Sequence, residues 1–151
     1  MPNFALNFSR PGNQVIAQYY NFLRLGREGY RRIHQTSRDV AMFLSSKIAE
    51  MGPFDLISDG SDIPVFAFTT SDTTNFSAFD MSDKLRERGW LVPAYTFPEH
   101  RTDLAALRCV CKEGFSRDMA ESLVADLKSA IDYFAGQPNH IPRKSGDGFH
   151  H

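Results

Sequence analysis

Five lysines, an arginine in an apolar run, two cysteines and a terminal pair of histidines are the side chains here that could do chemistry. A lysine turns nucleophilic, or carries a carbonyl cofactor, only where a pocket lowers its pKa. Lys47, Lys84, Lys128 and Lys144 fall on expected helix surfaces or in the tail, and nothing around Lys112 announces such a pocket. Arg108 stands between Leu107 and Cys109. A strand-surface arginine ordinarily pairs with an acidic neighbour, but this apolar setting argues for a special role. Cys109 and Cys111 are expected to face opposite ways on a strand and to remain unpaired, reduced packing thiols. Ser9, two residues before Pro11, would by itself cap a helix opening at that proline. His150 and His151 are too few for a metal site, and no CxxC or HExxH adds to them. Neither a GxxxxGK[ST] nor a GxGxxG loop is present, and there is no GxSxG elbow.

The chain has 151 residues, enough for one domain with a core of its own. A net charge of −1, with arginines dispersed along the chain, implies no nucleic-acid partner. No apolar run approaches the roughly 20 residues of a membrane span. The first seven residues lack the basic and apolar regions of a signal peptide, so we expect a cytoplasmic protein.

These residues need elements to hold them. Pro11 can open a helix whose apolar positions Val15, Tyr19, Phe22 and Leu23 run to Gly26. A longer helix is expected over 27–51, with Tyr30, Ile33, Val40, Leu44 and Ile48 as its stripe and Gly52-Pro53 as its stop. Strands are expected over 54–58, 63–70, 90–97 and 104–112, the third bent or at an edge because of Pro93. Between them Asp80 or Ser82 is expected to cap a helix ending at Gly89. Ser116 caps the last helix, with Met119, Leu123, Leu127, Ile131 and Phe134 on one face. This order favours an α+β fold, a small mostly antiparallel sheet with helices packed on one face. We divide it into linking helices over 1–51, a small domain over 52–136 and a flexible tail over 137–151.

Three blocks carry a resemblance. They are Asn7 to Tyr30 around Phe8-Ser9-Arg10-Pro11-Gly12, Arg86 to Ala94 (RERGWLVPA), and Leu107 to Phe115 (LRCVCKEGF). In this order they resemble the C-terminal portion of the bacterial glutamate decarboxylases, group II decarboxylases that use pyridoxal 5'-phosphate. The resemblance is weak between 55 and 78. It implies the small C-terminal domain of a fold-type I enzyme, a reaction converting L-glutamate to 4-aminobutanoate and carbon dioxide, and no Schiff-base lysine among the five here. The chain by itself is then expected to be inactive.

The resemblance also implies roles. Ser9 matches the serine that reaches across a subunit interface to the cofactor phosphate, beside the alternative of a helix cap. Arg108 matches the arginine holding a substrate carboxylate. His151, with His150, matches the end of a tail that closes the active site at neutral pH, beside the alternative of an unstructured terminus. The implied partners are a second copy of the chain or an N-terminal cofactor domain. A different reading is a non-enzymatic module docking on a full-length decarboxylase through Phe4, Phe8, Tyr19, Tyr20 and Phe22.

Overall fold

A computed structural model describes residues 8–72 and 74–144. Helix α1 (Asn13–Ala49) opens at Gly12, which offers no side-chain cap, so the helix starts two residues later than Pro11 suggests and Ser9 does not cap it. At Gly26 the backbone takes φ 55° and ψ −172°, a conformation reserved in practice for glycine, and the helix breaks there into two. Its second part buries Ser37, Val40, Ala41, Leu44, Ser45 and Ile48 at helical spacing. Its first part is an arm, with Val15, Ile16, Tyr19, Tyr20, Phe22 and Leu23 all exposed. Beyond α1, Gly52 at φ 95° turns the chain.

Four short strands follow in antiparallel pairs, β1 (Phe54–Leu56), β2 (Val65–Thr70), β3 (Ala94–Thr96) and β4 (Ala105–Val110), in the sheet order β1-β2-β4-β3. The register sets Phe66 against Cys109 and Phe68 against Leu107 on one face, and Val65 against Val110 and Ala67 against Arg108 on the other. Pro93 precedes β3, which lies at the sheet edge.

The helices α1, α2 (Ala78–Arg86) and α3 (Arg117–Ala135) cover the phenylalanine face. This is the expected α+β layer. Phe54 meets Phe68 edge to face at 5.2 Å between ring centroids, and Phe76 stacks on Phe134 at 5.0 Å. No helix among the described residues is long and apolar enough to cross a membrane.

Three local expectations are corrected. The cap of α2 is Ser77, because Asp80 sits three residues on and its carboxylate reaches back to the Ser77 amide, closing a capping box. On α3 the buried positions are Ala120, Leu123, Leu127, Ala130 and Phe134, whereas Met119 is 42% exposed. The helix is turned so that small alanines meet the layer beneath. Cys109 and Cys111 do not face opposite ways, since strand side chains alternate and residues two apart share a face. Both thiols are free and buried in the core. Burial pushes Cys111 up to about 11 and Cys109 higher still, so neither is a reactive thiolate at neutral pH.

Phe68→Ala should cost about 3–5 kcal/mol in urea unfolding, because a fully buried ring leaves a cavity. Val110→Ala on the opposite face should stay within about 0.5 kcal/mol.

Candidate functional site on the uncovered sheet face

Strand alternation decides what faces outward. Along β4, Leu107 and Cys109 turn into the helix layer, while Ala106, Arg108 and Val110 line the other side. From β2 come Val65, Ala67 and Thr69, from β1 Asp55, and from β3 Tyr95. No helix among the described residues covers this face.

Arg108 is the cation of this face. Its backbone amide donates to Pro93 O at 3.1 Å, tying β4 to the edge strand. Its guanidinium carbon lies 5.7 Å from the centre of the Tyr95 ring. Among the described residues the side chain makes no ion pair. The carboxylate on the same face, Asp55, accepts from Ser71 Oγ at 3.0 Å. The expected alternative, an acid-paired surface arginine, is therefore not what the structure holds. Ala67 stands directly opposite Arg108 and Ala106 two residues before it, so its neighbours across and along this face are small.

Ser9 lies elsewhere, exposed just before α1 at the end of the arm. The first turn of α1 holds no acidic residue and no side-chain cap, so the chemistry there suits an anion. The structure does not bring Ser9 and Arg108 into one pocket. His150 and His151 lie outside the described residues, as does Phe4. Lys47 pairs with Glu50 at 2.6 Å and Lys84 with Glu87 at 2.7 Å, while Lys112, Lys128 and Lys144 are exposed. None is enclosed as a cofactor lysine would be. Among the described residues, no group of three or more His, Cys, Asp or Glu is placed to hold a metal ion.

The start of the expected tail lies against the body. Asp80, only 5% exposed, accepts from Ser77 N, Ser77 Oγ and the Arg143 amide at 2.8, 2.9 and 3.2 Å. His140 Nε2 lies 3.3 Å from the same oxygen without meeting hydrogen-bond geometry. The His140 ring packs on Phe134, and the Arg143 guanidinium pairs with Asp83. Burial alone would raise the Asp80 carboxyl, but the donors from Ser77 and Arg143 outweigh it and hold the group below its ordinary value.

Residues 1–71 match the pyridoxal-dependent decarboxylase conserved domain. The chain is 49% identical to a glutamate decarboxylase of Aliivibrio fischeri over 156 residues, covering 100% of this chain and 34% of that protein. The chain belongs to the pyridoxal-dependent decarboxylase family. It is also 40% identical to a glutamate decarboxylase of Solanum lycopersicum, covering 99% of this chain and 32% of that protein. Among solved structures, the glutamate decarboxylase of Lactobacillus brevis superposes with a TM-score of 0.81 at 38% identity, over 89% of this chain and 31% of that one. A Burkholderia pseudomallei sphingosine-1-phosphate lyase, at 23% identity and TM-score 0.70 over 87% of this chain and 28% of that one, shares the fold. The chain spans about a third of the length of the relatives it matches, and corresponds to a C-terminal portion of the group II glutamate decarboxylases. Pyridoxal 5'-phosphate is the cofactor of the intact family enzyme.

Reading the sequence missed Tyr95 and the Asp80 cluster. The motif Ser77-Ala78-Phe79-Asp80 carried a signal for the capping box, but its later partners lie some sixty residues away.

Asp80 also sets a pH dependence. Its folded pKa is lowered, so its contribution is present above the unfolded pKa of 3.8 and is lost as pH falls through the folded value. Asp80→Asn should lower stability at pH 6 by about 1 kcal/mol. The difference from the parent chain should shrink below about pH 4 when thermal unfolding is followed by circular dichroism.

Proposed function

We propose that these residues form the part of a pyridoxal-phosphate-dependent glutamate decarboxylase that faces the substrate. The observation that carries this reading is Arg108, a guanidinium on a strand face without an ion-pair partner among the described residues, with alanines at its side. Its fork would hold a carboxylate of L-glutamate, fixing the substrate's orientation. Ser9 would donate its hydroxyl to the cofactor phosphate of a neighbouring subunit, with the uncapped start of α1 adding amide donors and a favourable dipole. Bound there, pyridoxal phosphate supplies the electron sink as the substrate carboxylate leaves as carbon dioxide.

Residues 1–51 would link and dock, 52–136 form the small domain, and 137–151 a tail in which His150 and His151 approach the site. The exposed aromatic arm supports a partner surface, either a second copy or the cofactor-binding part of the enzyme, in the cytoplasm. The same arm favours a second reading, a docking module without activity of its own. Co-purification with a catalytically dead decarboxylase subunit would distinguish it.

The experiment is a hybrid in which this chain replaces the aligned third of the Aliivibrio fischeri enzyme. We expect the hybrid to release 4-aminobutanoate from glutamate, and Arg108→Gln to lower kcat/KM by at least about thirtyfold. Full activity in Arg108→Gln would overturn the role of this arginine. The 151-residue chain mixed with pyridoxal phosphate should develop no visible cofactor band above that of the free compound, and such a band would overturn the reading of its lysines.

A further inference from the structure

Tyr95 was not among the residues singled out in the sequence, yet its ring lies in cation–π contact with the Arg108 guanidinium. In the β3–β4 register Tyr95 stands opposite Ala106, so Arg108 is its diagonal neighbour on the uncovered face. The guanidinium carbon sits 5.7 Å from the ring centre, within cation–π range. Behind it, the Phe97 ring stacks on Tyr95 at 6.4 Å and 29°.

We propose that Tyr95 is a positioning residue for carboxylate recognition, a platform that fixes the Arg108 fork before the ligand arrives. An arginine drawn toward an aromatic ring by cation–π attraction makes no hydrogen bond to it and so keeps its N–H donors for a bidentate carboxylate. A free arginine on a strand samples many rotamers and loses that freedom on binding. The ring removes part of the loss beforehand, and Phe97 keeps the ring in place. The ring, not the hydroxyl, carries the role. This inference rests on the assignment of Arg108 to a carboxylate.

The test uses the 15N-labelled 151-residue chain, with glutarate as probe and the Arg108 Nε–H resonance as readout. In the parent chain this resonance should lie upfield of ordinary arginine signals, owing to the Tyr95 ring, and should move saturably with glutarate. Tyr95→Phe should keep both properties. Tyr95→Leu should return the resonance to the ordinary position and weaken glutarate binding about two- to fivefold. Tyr95→Val, with its strand-favouring branched side chain, serves as the second variant if the leucine chain does not fold. An Arg108 resonance that ignores glutarate in the parent chain overturns the carboxylate assignment and this inference with it. Equal glutarate affinity in the parent and in the leucine or valine chain overturns the role of Tyr95 alone.

Discussion

The alternation of β4 is the constraint on which the rest depends. A strand in a one-sided sheet sends successive side chains to opposite faces, and here one face is sealed by three helices. Leu107 and Cys109 must go inward because Phe68 and Phe66 stand opposite them in a close-packed core. Arg108 between them must then go outward. Charge could not enter that core unpaired at any tolerable cost. A slip of one residue would exchange the two sets, placing the guanidinium among phenylalanines. The burial of the core and the presentation of Arg108 are thus one fact seen from two sides of the sheet.

Much of this could be read from the sequence where the signal is local. The strands β2 and β4, Ser116 before α3, Pro93 at an edge and the stop at Gly52-Pro53 each depend on a few neighbouring residues. The failures have physical causes of a different range. Ser77, Asp80 and Ser82 all offered capping oxygens within six residues, and only the reciprocal bond from Asp80 selects Ser77. The face α3 buries is set by the layer it meets, which favours Ala120 and Ala130 over the larger Met119. For the two cysteines the geometry itself was misjudged, since two steps along a strand return to the same face.

The candidate site residues were marked in another way. Ser9 drew notice through family resemblance and Arg108 through that and its apolar setting, because a lone serine or arginine is ordinarily a surface residue. What the sequence withheld was the pairing of strands. Tyr95 lies near Arg108 only because β3 adds to the sheet edge in one register, and the twelve residues of intervening chain, 96–107, carry no sign of it. His140, in the expected tail, and Asp80, at the start of α2, likewise come together from distant parts of the chain.

The break at Gly26 has a mechanical consequence. The arm from Asn13 to Leu25 is a helical lever about 19 Å long, at 1.5 Å per residue, with its pivot at one glycine. Among the described residues a built-on Cβ at Gly26 would meet nothing within 4 Å, and what spans the pivot is a ring contact, Phe22 to Tyr30 at 5.7 Å between centroids. Rotating such a lever by about 10° carries its tip about 3 Å, the full length of a hydrogen bond. The helix keeps the arm straight, but it cannot hold Ser9 to the tolerance of a phosphate contact. That aim must come from whatever surface the aromatic side chains of the arm press against.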